Sequence, residues 1–140
     1  MTAKEYLQQY EDAMKLVNQL QDEYDEQMEM VDNIRSPLGG DGLPRSGNVS
    51  KKVEKQAVEL AEKAQELKEA EIWAVATRQQ IYNTIKEVPG VQRDVLRERY
   101  VELKKWKDVA EAVNYSLSHT KSVLHNKGLD YIQNMIDGQR

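Results

Sequence analysis

The first long stretch of the chain, residues 2–34, reads TAKEYLQQYEDAMKLVNQLQDEYDEQMEMVDNI and decides the fold class. Its apolar side chains recur at alternating steps of three and four, and Gln21 interrupts the series. This heptad spacing predicts a helix that packs along its length on another helix. The repeating positions are Leu7, Tyr10, Met14, Val17, Tyr24, Met28 and Val31.

Both ends of this first helix are marked in the sequence. Thr2 is followed three residues later by Glu5, which fits a capping box and predicts a helix that begins at Thr2 and ends near Ile34. Residues 36–48, SPLGGDGLPRSGN, then hold four of the seven glycines and two of the three prolines. No helix tolerates that density of Gly and Pro, so we expect a flexible linker. A contact loop with Arg45 at its tip is the alternative.

A second heptad pattern predicts a helix from Ser50 to Glu87, and the two long helices then form an antiparallel hairpin over residues 1–88. One hairpin buries only one stripe of each helix. We therefore predict self-association as a dimer or tetramer, in which Leu60 and Leu67 of the second helix join the seven positions of the first. Trp73, on the same helix, is expected to be a packing residue.

Composition excludes several classes of protein. The 140 residues are 39% hydrophobic and 31% charged, with neither Phe nor Cys. Disulfides, thiolate metal sites and Cys nucleophiles are therefore excluded, and no apolar run is long enough to span a membrane. The net charge of −4 is uneven, because residues 1–35 carry three basic and nine acidic groups whereas residues 91–127 carry eight and five. An acidic first part and a mildly basic last part suggest different roles.

The C-terminal domain, residues 89–140, follows a predicted hinge at Val88-Pro89-Gly90 and fits three short helices over 91–104, 105–113 and from Ser116 onward. The last two match a helix-turn-helix. Ala110 gives the small residue where the helices cross, and Asn114 can adopt the left-handed conformation of the turn. Val109, Val113, Tyr115, Thr120 and Val123 are expected on the inner face, and Trp106 is expected to anchor this core. The complete expectation is an all-α fold.

The outward positions of this motif are short polar or basic side chains that can reach bases and phosphates. Ser116 is expected to cap the recognition helix, and three lysines are expected to contact the DNA backbone. The expected DNA contacts are Lys104, Lys105, Lys107, Ser116, Leu117, Ser118, His119, Lys121, Ser122 and His125. His119 and His125 are six residues apart, which does not place them as a metal pair on one helical face, so no metal and no cofactor are expected.

Two stretches resemble known proteins. Residues 92–101, QRDVLRERYV, and 106–116, WKDVAEAVNYS, are similar to region 4 of sigma-70-type factors. The opening MTAKEYL, the Gly-rich loop and the segment LHNKGL at 124–129 resemble the ArpU-type late transcriptional regulators of phages that infect Gram-positive bacteria. Thr120 stands where that family usually has a β-branched or apolar residue, and the Leu124-His125 pair stands about one position late. The resemblance implies DNA binding near late-gene promoters, transcription activation and contact with RNA polymerase.

The leading interpretation is a sequence-specific regulator that binds double-stranded DNA as a homo-oligomer in the cytoplasm of a bacterial host. One alternative is a DNA-packaging subunit similar to a phage small terminase, and another is a coiled-coil adaptor without nucleic acid. We do not expect an enzyme, because the carboxylates fall on outer helix faces without a paired cluster, and the Gly-rich loop has no Lys-Ser/Thr after it.

Overall fold

The computed structural model describes residues 1–35 and 47–138. In those ranges the chain forms five helices and no strand, so the all-α prediction is confirmed. None of these helices is both long and apolar enough to cross a bilayer. The helices are α1 (Ala3–Arg35), α2 (Gly47–Ile85), α3 (Val91–Leu96, continued by a π-helical turn over Arg97–Val101), α4 (Trp106–Val113) and α5 (Leu117–His119, a π-helical turn over Thr120–Leu124, then His125–Gly138).

The start of α1 follows from its first residues. The Thr2 hydroxyl accepts a hydrogen bond from the Glu5 backbone N–H at 3.2 Å, and the Glu5 carboxylate accepts one from the Thr2 backbone N–H at 3.5 Å. This reciprocal pair satisfies two donors that the first helical turn would otherwise leave without partners. The predicted capping box is therefore confirmed.

Residues 36–46 of the predicted linker 36–48 lie outside the described residues. Arg45 is one of them, so its alternative role as the tip of a contact loop is not tested. Gly47 and Asn48 already belong to α2, which begins three residues before the predicted Ser50. At its other end α2 stops at Ile85, two residues before the predicted Glu87. Pro89 follows shortly after, and Gly90 adopts a positive φ of 72° that favours glycine.

The described residues divide into two compact units, which are residues 15–35 with 47–72 (the smaller unit) and residues 1–14 with 73–138 (the larger unit). In the smaller unit α1 and α2 run antiparallel. The Gln27 side chain donates a hydrogen bond to the Gln56 side chain, and Glu23 forms an ion pair with Lys63 at 3.6 Å. The earlier residue of α1 thus contacts the later residue of α2, as antiparallel helices require. The buried apolar residues of this unit are Val17, Val31, Leu67 and Ala70.

The larger unit has one main core, to which both ends of the described chain contribute. The Ala3 backbone N–H donates to the Gln133 side chain at 2.8 Å, and the Tyr6 hydroxyl bonds to the Thr84 hydroxyl at 2.8 Å. The buried cluster combines Ala3, Leu7, Ile81, Ile85, Val88, Leu96, Tyr100, Val101 and Ile132. Val88 is buried inside this cluster, so packing is continuous through the predicted hinge. The functional division at residue 88 stays a prediction.

The burial pattern corrects the predicted oligomer contacts. Leu7, Val17, Val31 and Leu67 are at most 8% exposed within a single chain, because α1 and α2 pack on each other and Leu7 also lies in the main core of the larger unit. These four side chains are therefore not free to meet a second copy. Tyr10, Met14, Tyr24, Met28 and Leu60 are half-buried.

Two expectations about single elements are also wrong. Trp73 is 51% exposed and so is not a core packing residue. The third helix ends at Val101 rather than at Lys104, because Leu103 adopts a left-handed φ of 55°. The Arg99 guanidinium holds this turn by donating to the Lys104 carbonyl at 2.8 Å.

Candidate nucleic-acid interface

The turn between α4 and α5 has the geometry that the sequence predicts. Asn114 has φ 62° and ψ 37°, which is the left-handed conformation, and its N–H closes the end of α4. The Tyr115 N–H then donates to the Ala110 carbonyl at 3.3 Å. Asn tolerates this conformation better than most residues with a side chain. Ala110 is 6% exposed, so a small residue stands where α4 is covered.

Ser116 caps α5 as predicted. Its backbone is extended at φ −64° and ψ 154°, and its hydroxyl accepts a hydrogen bond from the His119 N–H at 3.1 Å. Because an N-cap residue fixes the direction in which a helix leaves a turn, Ser116 and Asn114 together set the angle between α4 and α5.

The inner face of the motif forms a second small core. Val95, Val109 and Leu124 are buried together, with Val91, Trp106 and Val113 packed against them. Thr120 is fully buried and Val123 is half-buried, which confirms their predicted inward placement. Tyr115 was also expected inside and is instead 47% exposed, stacked on the His119 ring at 5.2 Å. The left-handed turn at Asn114 directs the next residue away from the core.

The first two turns of α5 present the predicted polar surface. Leu117, Ser118, Lys121 and Ser122 are exposed, and His119 is half-buried. Ser118, Lys121 and Ser122 are spaced three and four residues apart and therefore share one helical face. The structure thus groups three of the predicted base-contacting side chains on one accessible surface.

His125 is a correction to the predicted set. It is 7% exposed, its Nε2 atom lies 2.7 Å from the Tyr100 hydroxyl, and its ring lies edge-on to Trp106 with 4.6 Å between centroids. The π-helical turn over Thr120–Leu124 explains the difference, because a π turn holds one residue more than an α turn. Residues after the turn are rotated, so a side chain expected outside is directed inward. We therefore remove His125 from the proposed DNA contacts.

Asn126 takes the outward place that the α-helical period assigns to His125. It is exposed, and its side-chain amide donates to the Ser122 carbonyl at 2.7 Å. The sequence signal that could have revealed it was the late position of the Leu124-His125 pair. Lys4 and Arg99, which lie with Lys121 around one cleft, were also missed. Lys4 is far from Lys121 in the sequence, so no local pattern connects them.

The three predicted backbone-contacting lysines are all exposed. Lys104 is paired with Glu98, and hydrogen bonding to that carboxylate raises the pKa of Lys104 and lowers the pKa of Glu98. Its positive charge is therefore partly offset within the chain. Lys105 precedes α4 as its N-cap, and Lys107 lies in its first turn, where neither forms an ion pair in the described ranges. Lys105 and Lys107 are the better candidates for phosphate contacts.

The burial of His125 predicts a dependence of stability on pH. Burial, together with the positive charges of Lys4 and Arg99, lowers the pKa of His125 to about 4, below the usual 6.5. The unfolded chain therefore binds a proton as the pH falls below about 6.5, whereas the folded chain stays neutral there until about 4. We expect the free energy of unfolding to fall over this window by on the order of 2 kcal/mol from this group.

Urea unfolding between pH 4 and 7 measures this effect as a difference between wild type and His125→Gln. The variant should show a shallower pH dependence, whereas the control His119→Gln should follow the wild type. Parallel curves for wild type and His125→Gln would show that His125 titrates normally in the folded chain.

The comparisons with known proteins give no relative with which this geometry can be compared. A scan of the sequence against protein-family models, a search of curated proteins and a search of solved structures each found no significant match.

Proposed function

We propose that this chain is a sequence-specific DNA-binding transcriptional regulator, a late-gene activator of a phage or prophage that acts as a homo-oligomer in the bacterial host cytoplasm. The observation that carries the proposal is the α4–turn–α5 unit, in which Asn114 and Ser116 set the turn and α5 exposes Ser118, Lys121 and Ser122. The resemblance to sigma-70 region 4 and to ArpU-type regulators supports the same function.

The proposed mechanism places α5 in the major groove, which is about 12 Å wide and admits one helix. The small hydroxyls of Ser118 and Ser122 allow the helix to approach the base edges closely, and both can donate or accept. Lys121 is long enough to reach a guanine or a phosphate. Lys105 and Lys107 would position the complex on the backbone without reading sequence.

Self-association is part of the proposal because one such surface provides few contacts. Two linked copies would bind repeated half-sites with a higher effective concentration. Since the predicted seam is partly buried within the chain, the contacts would use exposed apolar side chains. In the smaller unit Leu16, Met30, Val58 and Ile72 are exposed. Contact with RNA polymerase is the second proposed partnership, and it depends on the family resemblance.

The decisive experiment uses an operator selected by the purified chain from a random DNA pool. We expect Ser118→Ala and Lys121→Ala each to weaken binding to this operator by about tenfold, as measured by fluorescence anisotropy. Lys121→Ala should also reduce the salt dependence of binding by about one phosphate contact if it meets the backbone.

Lys127→Ala is the matched control, because Lys127 is exposed on the same helix outside the proposed contacts. Equal affinities of the wild type and both α5 variants would refute this placement of α5. The mass of the assembly separates two functions: a dimer or tetramer supports regulation, and a ring of eight or more subunits would support DNA packaging instead.

A further inference from the structure

A cleft of about 270 Å³ opens in the larger unit between α1, α3, α4 and α5. Three cationic side chains line it, and each comes from a different helix: Lys4 from α1, Arg99 from α3 and Lys121 from α5. The amide of Asn126 and the rings of Trp106 and His125 also line the cleft, next to these cations. The lining includes no carboxylate from residues 1–35 or 47–138.

The cations that form ion pairs in the described ranges include Lys63, Arg78, Arg97 and Lys104, which lie outside the cleft lining. Like charges that share a cleft repel one another, and the repulsion is stronger next to low-dielectric protein than in water. An anion in the cleft would remove this repulsion and gain charge-assisted hydrogen bonds.

Arg99 is already held in position for such a ligand. One of its N–H groups donates to the Lys104 carbonyl at 2.8 Å, and its guanidinium lies over the Trp106 ring, 5.1 Å from the centroid. A guanidinium has five N–H donors, so most of them remain for a ligand. Because the side chain is fixed before binding, less conformational entropy is lost when an anion arrives.

His125 forms the floor of the cleft and adds no charge of its own near neutral pH. Its ring is tied to the Tyr100 hydroxyl, and its pKa is lowered to about 4 by burial and by Lys4, Arg99 and Lys121. The opposing acidic influence comes from Glu11 of α1, whose charge acts on Tyr100. The positive charge of the cleft therefore comes from the three cationic side chains and not from His125.

We propose that this cleft binds a phosphate group between Lys4, Arg99 and Lys121. Donors that come from three helices suit a tetrahedral group with several charged oxygens better than a planar carboxylate. The group can be a free phosphate or phosphate monoester, or a phosphodiester of the DNA backbone next to α5. The second source rests on the proposed function, whereas the first does not.

The first arm of the test titrates the full chain with inorganic phosphate at constant ionic strength. In a Trp73→Phe background Trp106 is the single tryptophan, so its fluorescence reports on the cleft wall. We expect a saturable change in this fluorescence. Lys4→Gln should weaken the affinity for phosphate by about tenfold, and Lys127→Gln should leave that affinity unchanged. Nuclear magnetic resonance of His125 provides a second readout, because a bound anion should raise its pKa.

The second arm measures duplex binding by the same variants. If Lys4→Gln weakens duplex binding while Lys127→Gln does not, and phosphate competes, the site takes a backbone phosphodiester. If Lys4→Gln weakens phosphate binding but not duplex binding, the ligand is a free phosphate or a phosphate monoester. This conclusion holds even if the chain binds no DNA. An absent phosphate response together with unchanged duplex binding by Lys4→Gln would overturn the proposal, and so would equal effects of Lys4→Gln and Lys127→Gln.

Discussion

Replacing Leu7 by alanine is expected to lower the free energy of unfolding by about 3–5 kcal/mol, because Leu7 is fully buried among the apolar side chains of α2 and α5. The truncation removes most of an apolar side chain from the main core of the larger unit and leaves a cavity that neighbouring helices can only partly close. Since a small domain is stabilised by only about 5–15 kcal/mol, this one change removes a large fraction of the total.

Urea unfolding at two protein concentrations measures the effect and tests its origin. Val75→Ala is the matched control, because Val75 lies on α2 in the same unit with 70% of its surface exposed and outside the proposed self-association contacts, and we expect it to change stability by less than about 1 kcal/mol. If Leu7 packs within one chain, its effect should be the same at both concentrations. A loss of stability that grew on dilution would show that Leu7 contacts a second copy, as the heptad pattern first suggested.

Gly128→Ala is expected to destabilise the chain by about 1–3 kcal/mol, although a Gly-to-Ala change at a solvent-exposed position inside a helix stabilises by about 1 kcal/mol. A Cβ atom at this position would lie 2.9 Å from Cδ1 and 3.0 Å from Cγ of Leu96. Leu96 is fully buried in the main core, so moving its side chain would disturb the residues packed around it. The sign of the effect is therefore the informative result.

Gly138→Ala makes the same substitution in the same helix where a new Cβ meets nothing within 4 Å. We expect it to be neutral or slightly stabilising in thermal and urea unfolding. The double variant of Leu96→Ala with Gly128→Ala should lose less stability than the sum of the two single losses, because the smaller side chain at position 96 leaves room for the new methyl group. A Gly128→Ala variant that is more stable than wild type would show that α3 and α5 are not in close contact there.

The features that the sequence predicted well are those that depend on neighbouring residues. The capping box of Thr2 and Glu5 and the cap at Ser116 each use a side chain within three positions of the backbone that it stabilises, and the left-handed turn at Asn114 depends on the conformational preference of one residue. Such local hydrogen bonds are encoded in a short segment, and tertiary contacts did not change them. The inward placement of Thr120 followed in the same way from its spacing to Ala110 and Asn114.

The features that the sequence did not predict depend on packing between distant segments or on a change of helical period. The heptad pattern indicated that Leu7 and Val31 pack on another helix, but not whether that helix belongs to the same chain. His125 was assigned to the outer face by a constant period, which the π-helical turn at Thr120–Leu124 interrupts. The cleft lined by Lys4 and Lys121 exists only because the first helix and the last meet in the fold.

The joint core of Leu7 and Ile132 also bears on how the protein is made. Synthesis proceeds from the N-terminus to the C-terminus, so α1 leaves the ribosome long before Ile132 has been synthesised. Until then Leu7, Ile81 and Ile85 lack part of their cover, and this core cannot be completed before Ile132 has emerged from the ribosome. Contacts between residues so far apart slow folding, and they lengthen the time during which a chaperone can bind the nascent polypeptide.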